Sequence, residues 1–390
     1  MKIQESRVAV ASDSFFCASG GLNYLNPTDY VSLSQWFPLF GQTVLLKPQL
    51  SLSTPPKGWM PVSTEIQVVP LSIANSGRFL RIVGTRLAAE KSLRGIDLLY
   101  ARMPNYEGYW VFQVAQRLRI PLLLELHGDW VSSITEEDQQ DLLRRMTRSW
   151  RARFTDRATM RMAEYASAIV TIGSELKEKY APVYTPTLVS TNHLLPASFY
   201  CPREDFRLKD TPLILFVGDI QRRKGLLVLF EALRDLKSHG RLFQMVLVGD
   251  GLLEYELRAY AEQEGFIDRV IFAGRVPHGP ELFAWFKKAD VLVLPSIAAE
   301  GVPRVTHEAM AFGCPIIATD IGSVAWQLEG GAGIVVQPRN ASVLANAICE
   351  VLDNGELRRS LSEKGYRRAQ DYTLEKQQAT LTEFVSKNFI

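Results

Sequence analysis

The sequence predicts an α/β protein of two doubly wound domains, each with a mostly parallel sheet between helices. Short segments rich in Val and Leu alternate with segments of helical spacing along most of the 390 residues. Residues 196–212 interrupt this alternation with proline and charged residues that show no periodicity, as a linker would. A chain of this length also exceeds what a single hydrophobic core usually covers, which favours two domains.

The first domain is assigned to residues 1–205. Strands are predicted at 7–11, 44–47, 67–70, 97–102, 122–126, 168–172 and 187–190, and helices at 30–40, 78–93, 109–118 and 141–166. Residues 12–23, which contain Gly20 and Gly21, are predicted to form a loop after the first strand. Adjacent glycines let a backbone approach a ligand closely, but they equally suit an ordinary tight turn.

The second domain is assigned to residues 206–372. Strands are predicted at 213–217, 245–248, 270–273, 291–295, 316–318 and 333–336, and helices after 225 and at 254–265, 281–289, 303–312, 341–352 and 356–366. Residues 373–389 are predicted to form a last helix.

Composition places the chain among ordinary globular proteins. It is 47% hydrophobic and 22% charged with a net charge of +2, so we expect no nucleic-acid partner. The four cysteines are far apart in sequence and form no zinc or disulfide pattern. No signal peptide and no apolar run of about 20 residues is found, so we expect a cytoplasmic protein, at most peripheral at the inner membrane face.

The segment around Glu300 and Glu308 carries the strongest chemical signal. Glu300 stands in a loop after a predicted buried strand, Pro303 favours a helix start, and Glu308 follows inside that helix. The amino terminus of a helix offers unpaired N–H groups to anions, and carboxylates accept hydrogen bonds from sugar hydroxyls. The pattern therefore suits a phosphorylated sugar, although a solvated loop glutamate and a surface helix glutamate would also explain it.

Residues 300–310, Glu-Gly-Val-Pro-Arg-Val-Thr-His-Glu-Ala-Met, closely resemble the Glu-x7-Glu motif of the retaining glycosyltransferases of family 4, which have a GT-B fold. The resemblance implies two Rossmann-like domains that face a cleft, with the final helix packed on the first domain. It implies that Glu300 faces the donor sugar and that Glu308 binds the ribose hydroxyls. The amides around Gly301, Val302 and Arg304 would hold the diphosphate and the sugar.

A second anion site is predicted at residues 218–225, Gly-Asp-Ile-Gln-Arg-Arg-Lys-Gly, which open a helix. The family uses a Gly, an Arg and then Lys-Gly here, which implies donor-binding roles for Gly218 and Lys224. Asp219 stands where the usual Arg follows the glycine, so either Arg222 or Arg223 would replace it. The resemblance also implies that backbone groups near Arg275 and Val276 hold the nucleotide base.

His127 directly follows a predicted strand, at the sheet edge where ligands bind in open α/β sheets. A lone histidine is often structural, but the resemblance implies a place at the donor sugar. The same resemblance implies that the loop with Gly20 and Gly21 lines the donor site. An arginine-rich region at 144–161 is consistent with an anionic membrane surface, with a phosphate-bearing acceptor or with a solvated helix face.

These features predict a retaining glycosyltransferase that moves a sugar from a UDP- or GDP-type donor to a carbohydrate or lipid-linked acceptor in glycan biosynthesis. The catalytic residues would be His127, Lys224 and Glu300, with no metal ion and no cofactor. Two alternatives remain open. The chain would otherwise be a catalytically silent partner subunit that binds nucleotide sugars, or a GT-B-type nucleotide-sugar epimerase.

Overall fold

The computed structural model describes residues 5–12, 14–34, 36–73, 78–128, 142–193, 195–208, 210–298 and 300–389. The chain divides into two compact units. Unit 1 comprises the residues up to Leu194 together with those from Gln377 onward, and unit 2 comprises Leu195–Lys376.

Unit 1 is built on a ten-stranded sheet. Its strands are β1 (Arg7–Ala11), β2 (Phe16–Ser19), β3 (Leu22–Leu25), β4 (Gln42–Leu50), β5 (Met60–Pro61), β6 (Gln67–Ile73), β7 (Leu98–Met103), β8 (Leu122–Leu126), β9 (Ala168–Ile172) and β10 (Thr187–Ser190). The order is β10-β9-β8-β7-β1-β4-β2-β3-β5, and β6 also pairs with β4. From β10 to β4 all neighbours are parallel, so their carboxyl ends share one edge.

The helices of unit 1 follow the predicted alternation. They are α1 (Pro27–Ser34), α2 (Arg78–Ser92), α3 (Tyr106–Arg117), α4 (Leu142–Tyr165) and α5 (Ser174–Tyr180). Apolar side chains form two separate clusters, one of which includes Leu381 and Val385 of the final helix. That helix, α13 in chain order, spans Leu374–Phe389.

Two elements of unit 1 differ from the prediction. The predicted helix at 30–40 is instead α1 at Pro27–Ser34, followed by a short 3-10 helix at Phe37–Leu39. Residues 16–25 form an antiparallel hairpin instead of an open loop, with Ser19 paired to Leu22 across the turn. Gly20 and Gly21 are the two turn residues, with φ of 58° and 79°. Two-residue hairpin loops favour glycine because both positions adopt positive φ. The ordinary turn therefore accounts for this glycine pair.

Unit 2 contains a six-stranded sheet of β11 (Leu213–Val217), β12 (Gln244–Val248), β13 (Val270–Gly274), β14 (Val291–Leu294), β15 (Ile316–Thr319) and β16 (Ile334–Val336). All pairs are parallel, in the order β13-β12-β11-β14-β15-β16. The chain first extends the sheet on one side of β11 and then returns to the other side at β14. The reversal point therefore lies between β11 and β14, where open α/β sheets bind ligands at the strands' carboxyl ends.

The helices of unit 2 are α6 (Leu226–Ser238), α7 (Glu254–Gln263), α8 (Pro280–Lys288), α9 (Arg304–Ala311), α10 (Val324–Gln327), α11 (Ala341–Asp353) and α12 (Gly355–Gln370). The sheets and helices of the two units confirm the predicted class of two doubly wound α/β domains. The predicted linker at 196–212 belongs to unit 2, where the Tyr200 hydroxyl lies 3.2 Å from the Ala369 carbonyl.

Candidate active site

The carboxyl ends of β11 and β14 come very close together at the reversal point of unit 2. Gly225, in the turn after β11, has φ of 67° and lies against the Pro295 carbonyl, into which a Cβ atom would project. The Ile297 N–H donates to the Arg223 carbonyl at 2.9 Å, which fastens the two loops to each other. This contact places the basic turn at residues 222–224 beside the loop that carries Glu300.

Replacing Gly225 with alanine is expected to destabilise unit 2 by about 3 kcal/mol, since positive φ and overlap with a carbonyl act together. Gly240 is a matched control, because its φ is 70° and nothing lies within 4 Å of a Cβ placed there. Gly240→Ala should cost only about 1 kcal/mol, the penalty of the left-handed conformation. Chemical denaturation of both variants measures the difference, and equal losses would show that the close approach is unimportant.

Glu300 is the centre of a compact polar cluster. One carboxylate oxygen, Oε1, accepts hydrogen bonds from Lys224 Nζ and, at 2.7 Å, from the Ser296 hydroxyl. Arg223 Nη1 lies 3.5 Å from the same oxygen. The side chains of Lys224 and Glu300 are only 12% and 10% exposed, so the pair is largely shielded from solvent. The predicted residues Lys224 and Glu300 are thus brought together in one site.

The cluster sits at the amino terminus of α9. Val302 and Pro303 are buried before this helix, Gly301 is half-buried, and Arg304 is exposed at its first position. Gln327 Nε2 donates to the Pro303 carbonyl at 3.1 Å, and the Thr306 hydroxyl donates to the same carbonyl at 2.7 Å. These buried contacts fix the start of the helix, and the dipole of a helix favours an anion at its amino terminus.

Glu308 lies inside α9 and is also buried, but it has a different partner. His278 Nε2 donates to Glu308 Oε1 at 3.1 Å. The hydrogen bond to Glu308 raises the pKa of His278 above its ordinary value, because it favours the protonated ring. Glu308 therefore has the burial of a residue in a site, not that of a solvated helix face.

The predicted basic residues of unit 2 separate into two groups. Arg223 faces Glu300, whereas its neighbour Arg222 pairs with Glu256 at 2.6 Å on the exposed surface. Arg275 pairs with Asp250 at 2.8 Å and is also exposed, although Val276 packs partly buried against the core of unit 2. The sequence leaves open whether Arg222 or Arg223 contacts the donor, and the geometry favours Arg223, which lies beside Glu300.

His127 follows β8 in unit 1, and its side chain is 22% exposed. Its Nε2 lies 2.8 Å from Glu125 Oε2, in an ionic contact that is not aligned as a hydrogen bond. Glu125 is buried and also accepts from Arg102 Nε at 2.9 Å and from the Tyr100 hydroxyl. Burial opposes ionisation of Glu125, but the charges of His127 and Arg102 outweigh it and lower its pKa to about 2.

A second buried ion pair lies close to Arg102. Lys47 is completely buried and pairs with Asp29, whose Oδ1 lies 3.5 Å from Arg102 Nη1. Lys47 Nζ also donates to the Ser12 hydroxyl at 2.5 Å, at the end of β1. Burial would raise the pKa of Asp29, but the Lys47 charge and hydrogen bond lower it. Arg102 thus connects the Lys47–Asp29 pair to Glu125, which contacts His127 at the carboxyl edge of the sheet.

Glu300, Glu308 and His127 each contact a residue that was not predicted as part of the site: Ser296, His278 and Glu125, respectively. Glu125 is the one charged residue in the apolar segment Leu-Leu-Leu-Glu-Leu, which could have marked it as a buried charge. Ser296 lies two residues after β14, where polar side chains near a strand end are expected to reach a ligand. His278 gives no such signal, because its partner is far away in the sequence.

Residues 202–368 match the family model described as glycosyl transferases group 1. This match lies within unit 2, Leu195–Lys376. The chain is 34% identical over 162 residues to alpha-D-kanosaminyltransferase of Streptomyces kanamyceticus, and this alignment covers 41% of this chain and 42% of that protein. It is 28% identical over 266 residues to phosphatidyl-myo-inositol mannosyltransferase of Mycobacterium leprae, and that alignment covers 67% of this chain and 66% of the relative.

A third relative, D-inositol 3-phosphate glycosyltransferase of Paenarthrobacter aurescens, is 33% identical over 38% of this chain and 37% of that protein. The chain thus spans only about two fifths of the length of this relative and of the Streptomyces protein.

Solved structures resemble the whole chain in fold. Sucrose-phosphate synthase from Thermosynechococcus elongatus has a TM-score of 0.71 at 20% identity, over 98% of this chain and 99% of that one. HepE of Anabaena, solved in complex with UDP, has a TM-score of 0.71 at 17% identity, over 98% and 99%. This likeness confirms the predicted fold class across both units.

The arginine-rich region at 144–161 lies in α4. The side chains of residues 142–149 and 151 lie outside the described residues, but Arg153, Arg157 and Arg161 are exposed, and Trp150 is 61% exposed. No helix among the residues that the structure describes has the length and apolar character needed to cross a membrane. Membrane contact through this region stays a prediction.

Proposed function

We propose that the chain is a retaining glycosyltransferase that transfers a sugar from a nucleoside diphosphate sugar to a carbohydrate or lipid-linked acceptor. The observation that carries the proposal is the shielded pair of Glu300 and Lys224, with Arg223 beside it, at the reversal point of unit 2. It joins an acidic hydrogen-bond acceptor to two cations beside a helix amino terminus. The named relatives, which act on different sugars and acceptors, support the reaction class.

The leaving group of this reaction is a nucleoside diphosphate, on which negative charge develops as the bond to the sugar breaks. Lys224, Arg223 and the amino terminus of α9 would stabilise this charge in place of a metal ion. Preorganised donors of this kind commonly contribute the largest part of catalysis. The ion pair with Glu300 holds Lys224 in position before the donor arrives.

Glu300 and Glu308 have separate roles in the proposal. Glu300 would accept hydrogen bonds from the donor sugar, and Glu308 would accept them from the ribose hydroxyls. His127 would contact the donor sugar, positioned by Glu125. Retention means that the anomeric configuration of the transferred sugar is the same in the donor and in the product.

A ligand panel tests this function. The panel consists of UDP, GDP, ADP and their sugars, each with and without a chelator. We expect only the ligands with one of the three bases to raise the melting temperature of the protein, and the chelator to make no difference. A ligand that binds the native state stabilises it. Consumption of the donor excludes a silent subunit, and transfer of its sugar to an acceptor excludes an epimerase. NMR of the anomeric configuration of the product then tests retention. No shift with any nucleotide at millimolar concentration would contradict the donor site, and inversion would contradict retention.

A further inference from the structure

We propose that His278 is a positioning residue that fixes the Glu308 carboxylate for the ribose of the nucleotide. The proposal rests on the function proposed above and adds a residue to its donor site. His278 lies in the loop between β13 and α8, while Glu308 lies in α9. The two residues meet only through the fold of unit 2.

The contact has the geometry needed for this role. His278 Nε2 lies 3.1 Å from Glu308 Oε1, and an ionised carboxylate only accepts, so the ring donates. An oxygen that accepts one hydrogen bond retains further acceptor capacity, and no side chain in the described part of the structure donates to Oε2. Glu308 can therefore keep its bond to His278 and still accept from two vicinal hydroxyls.

The ring of His278 is itself held in place. It packs edge-on against Phe283 of α8, with ring centroids 5.1 Å apart and an interplanar angle of 88°. Phe283 in turn contacts Phe312, one helical turn after Glu308, at a centroid distance of 4.9 Å. Phe283 thus connects the histidine to the helix that carries its partner. This support favours a fixed orientation over a chance surface contact.

Exposure places the pair at the boundary between protein and solvent. The Glu308 side chain is 8% exposed, whereas that of His278 is 60% exposed. The exposed histidine is therefore in contact with solvent while it holds one oxygen of a buried carboxylate. This hydrogen bond restricts how the carboxylate can rotate.

Other charges near His278 are also part of its environment. Glu308 attracts a proton to the ring, while Arg304, also on α9, opposes protonation. An NMR titration should show a pKa for His278 above the ordinary histidine value, because its ring donates to Glu308. Glu308→Gln should lower the pKa of His278. His239, an exposed histidine at the end of α6, provides the matched control below. This titration is done without nucleotide, and an unchanged His278 pKa in Glu308→Gln would show that the contact does not form.

The role in binding is tested by calorimetry with UDP and GDP, each beside its 2′,3′-dideoxy counterpart. His278→Ala should weaken binding of the ribonucleotide about tenfold, in line with one lost hydrogen bond to a charged group, and leave the dideoxynucleotide unaffected. His278→Gln, which keeps a donor at similar reach, should restore affinity to within about threefold of the original protein. His239→Ala is the matched control and should change nothing.

The outcomes separate the inference from the function on which it rests. If the original protein prefers the ribonucleotide but His278→Ala keeps the same preference, the positioning role is wrong and the proposed function stands. If His278→Ala binds more tightly, the histidine competes with the ribose and the inference is again wrong. If the original protein binds neither UDP nor GDP, the proposed function fails, and the inference fails with it.

Discussion

Replacing Lys224 with methionine is expected to reduce turnover by about 10²- to 10³-fold, the usual effect of removing one preorganised donor from a developing anion. Methionine retains much of the length of the side chain but has neither the charge nor the N–H groups. Because the leaving diphosphate gains charge in the transition state, the loss should appear in kcat more than in KM. Steady-state kinetics with the donor identified by the ligand panel measures both.

The neighbouring Arg222 provides the control for this experiment. It belongs to the same short turn as Lys224, but it pairs with Glu256 on the surface. Arg222→Met removes the same charge from the same turn and should change turnover by less than about twofold, because an exposed ion pair contributes little. Equal losses in the two variants would show that the overall charge of the turn matters, and not the position of Lys224.

Stability must be separated from catalysis in the Lys224 variant. Glu300 is buried, so the loss of Lys224 leaves its carboxylate with Ser296 and Arg223. The double variant Lys224→Met with Glu300→Gln removes the unpaired charge and should regain stability without regaining turnover. Recovery of turnover in the double variant would mean that Lys224 acts only by neutralising Glu300. A normal rate in Lys224→Met alone would exclude the proposed role at the leaving group.

Much of the fold follows from local patterns. Buried parallel strands such as β11 and β14 are short apolar runs, and glycine and proline mark their ends, so their positions could be predicted. The hairpin at residues 16–25 was missed because its strands are only four residues long and alternate weakly. Its adjacent glycines suit both a loop near a ligand and a two-residue turn, and the pairing of the flanking strands identifies the turn.

The candidate site shows the same limit for side chains. Glu300, Glu308 and Lys224 could be found because they lie within short segments that also contain a strand end or a helix start. The choice between Arg222 and Arg223 could not be made, since adjacent residues on a tight turn point in different directions. Glu256 comes close to Arg222, and Glu300 to Arg223, only after the strands are ordered in the sheet.

Buried charges were the hardest feature to predict. Lys47 occupies a predicted strand, yet nothing in the strand's own sequence shows that Asp29 and Ser12 satisfy its ammonium group. A charge without such partners would be too costly to bury, so its burial depends on residues brought together by three elements. The same holds for Glu125, whose ionised state depends on Arg102 and His127.

Replacing Glu308 with alanine is expected to weaken nucleotide binding by about 3 kcal/mol, or roughly 100-fold, if two hydrogen bonds from ribose hydroxyls to a buried carboxylate are lost. Calorimetry with the nucleotide chosen by the ligand panel measures this change. The Glu308→Gln variant keeps the shape of the side chain and should lie between the original protein and the alanine variant. An unchanged affinity in both variants would remove Glu308 from the donor site.

The 2′,3′-dideoxynucleotide makes the test of Glu308 specific to the ribose. It lacks the hydroxyls that Glu308 is proposed to bind, so the original protein should bind it about as weakly as Glu308→Ala binds the ribonucleotide. In the alanine variant the two nucleotides should then bind almost equally, because the ligand change and the protein change remove the same hydrogen bonds. If the two losses instead add up, Glu308 supports binding from elsewhere, for example by holding His278, and the ribose contact is wrong.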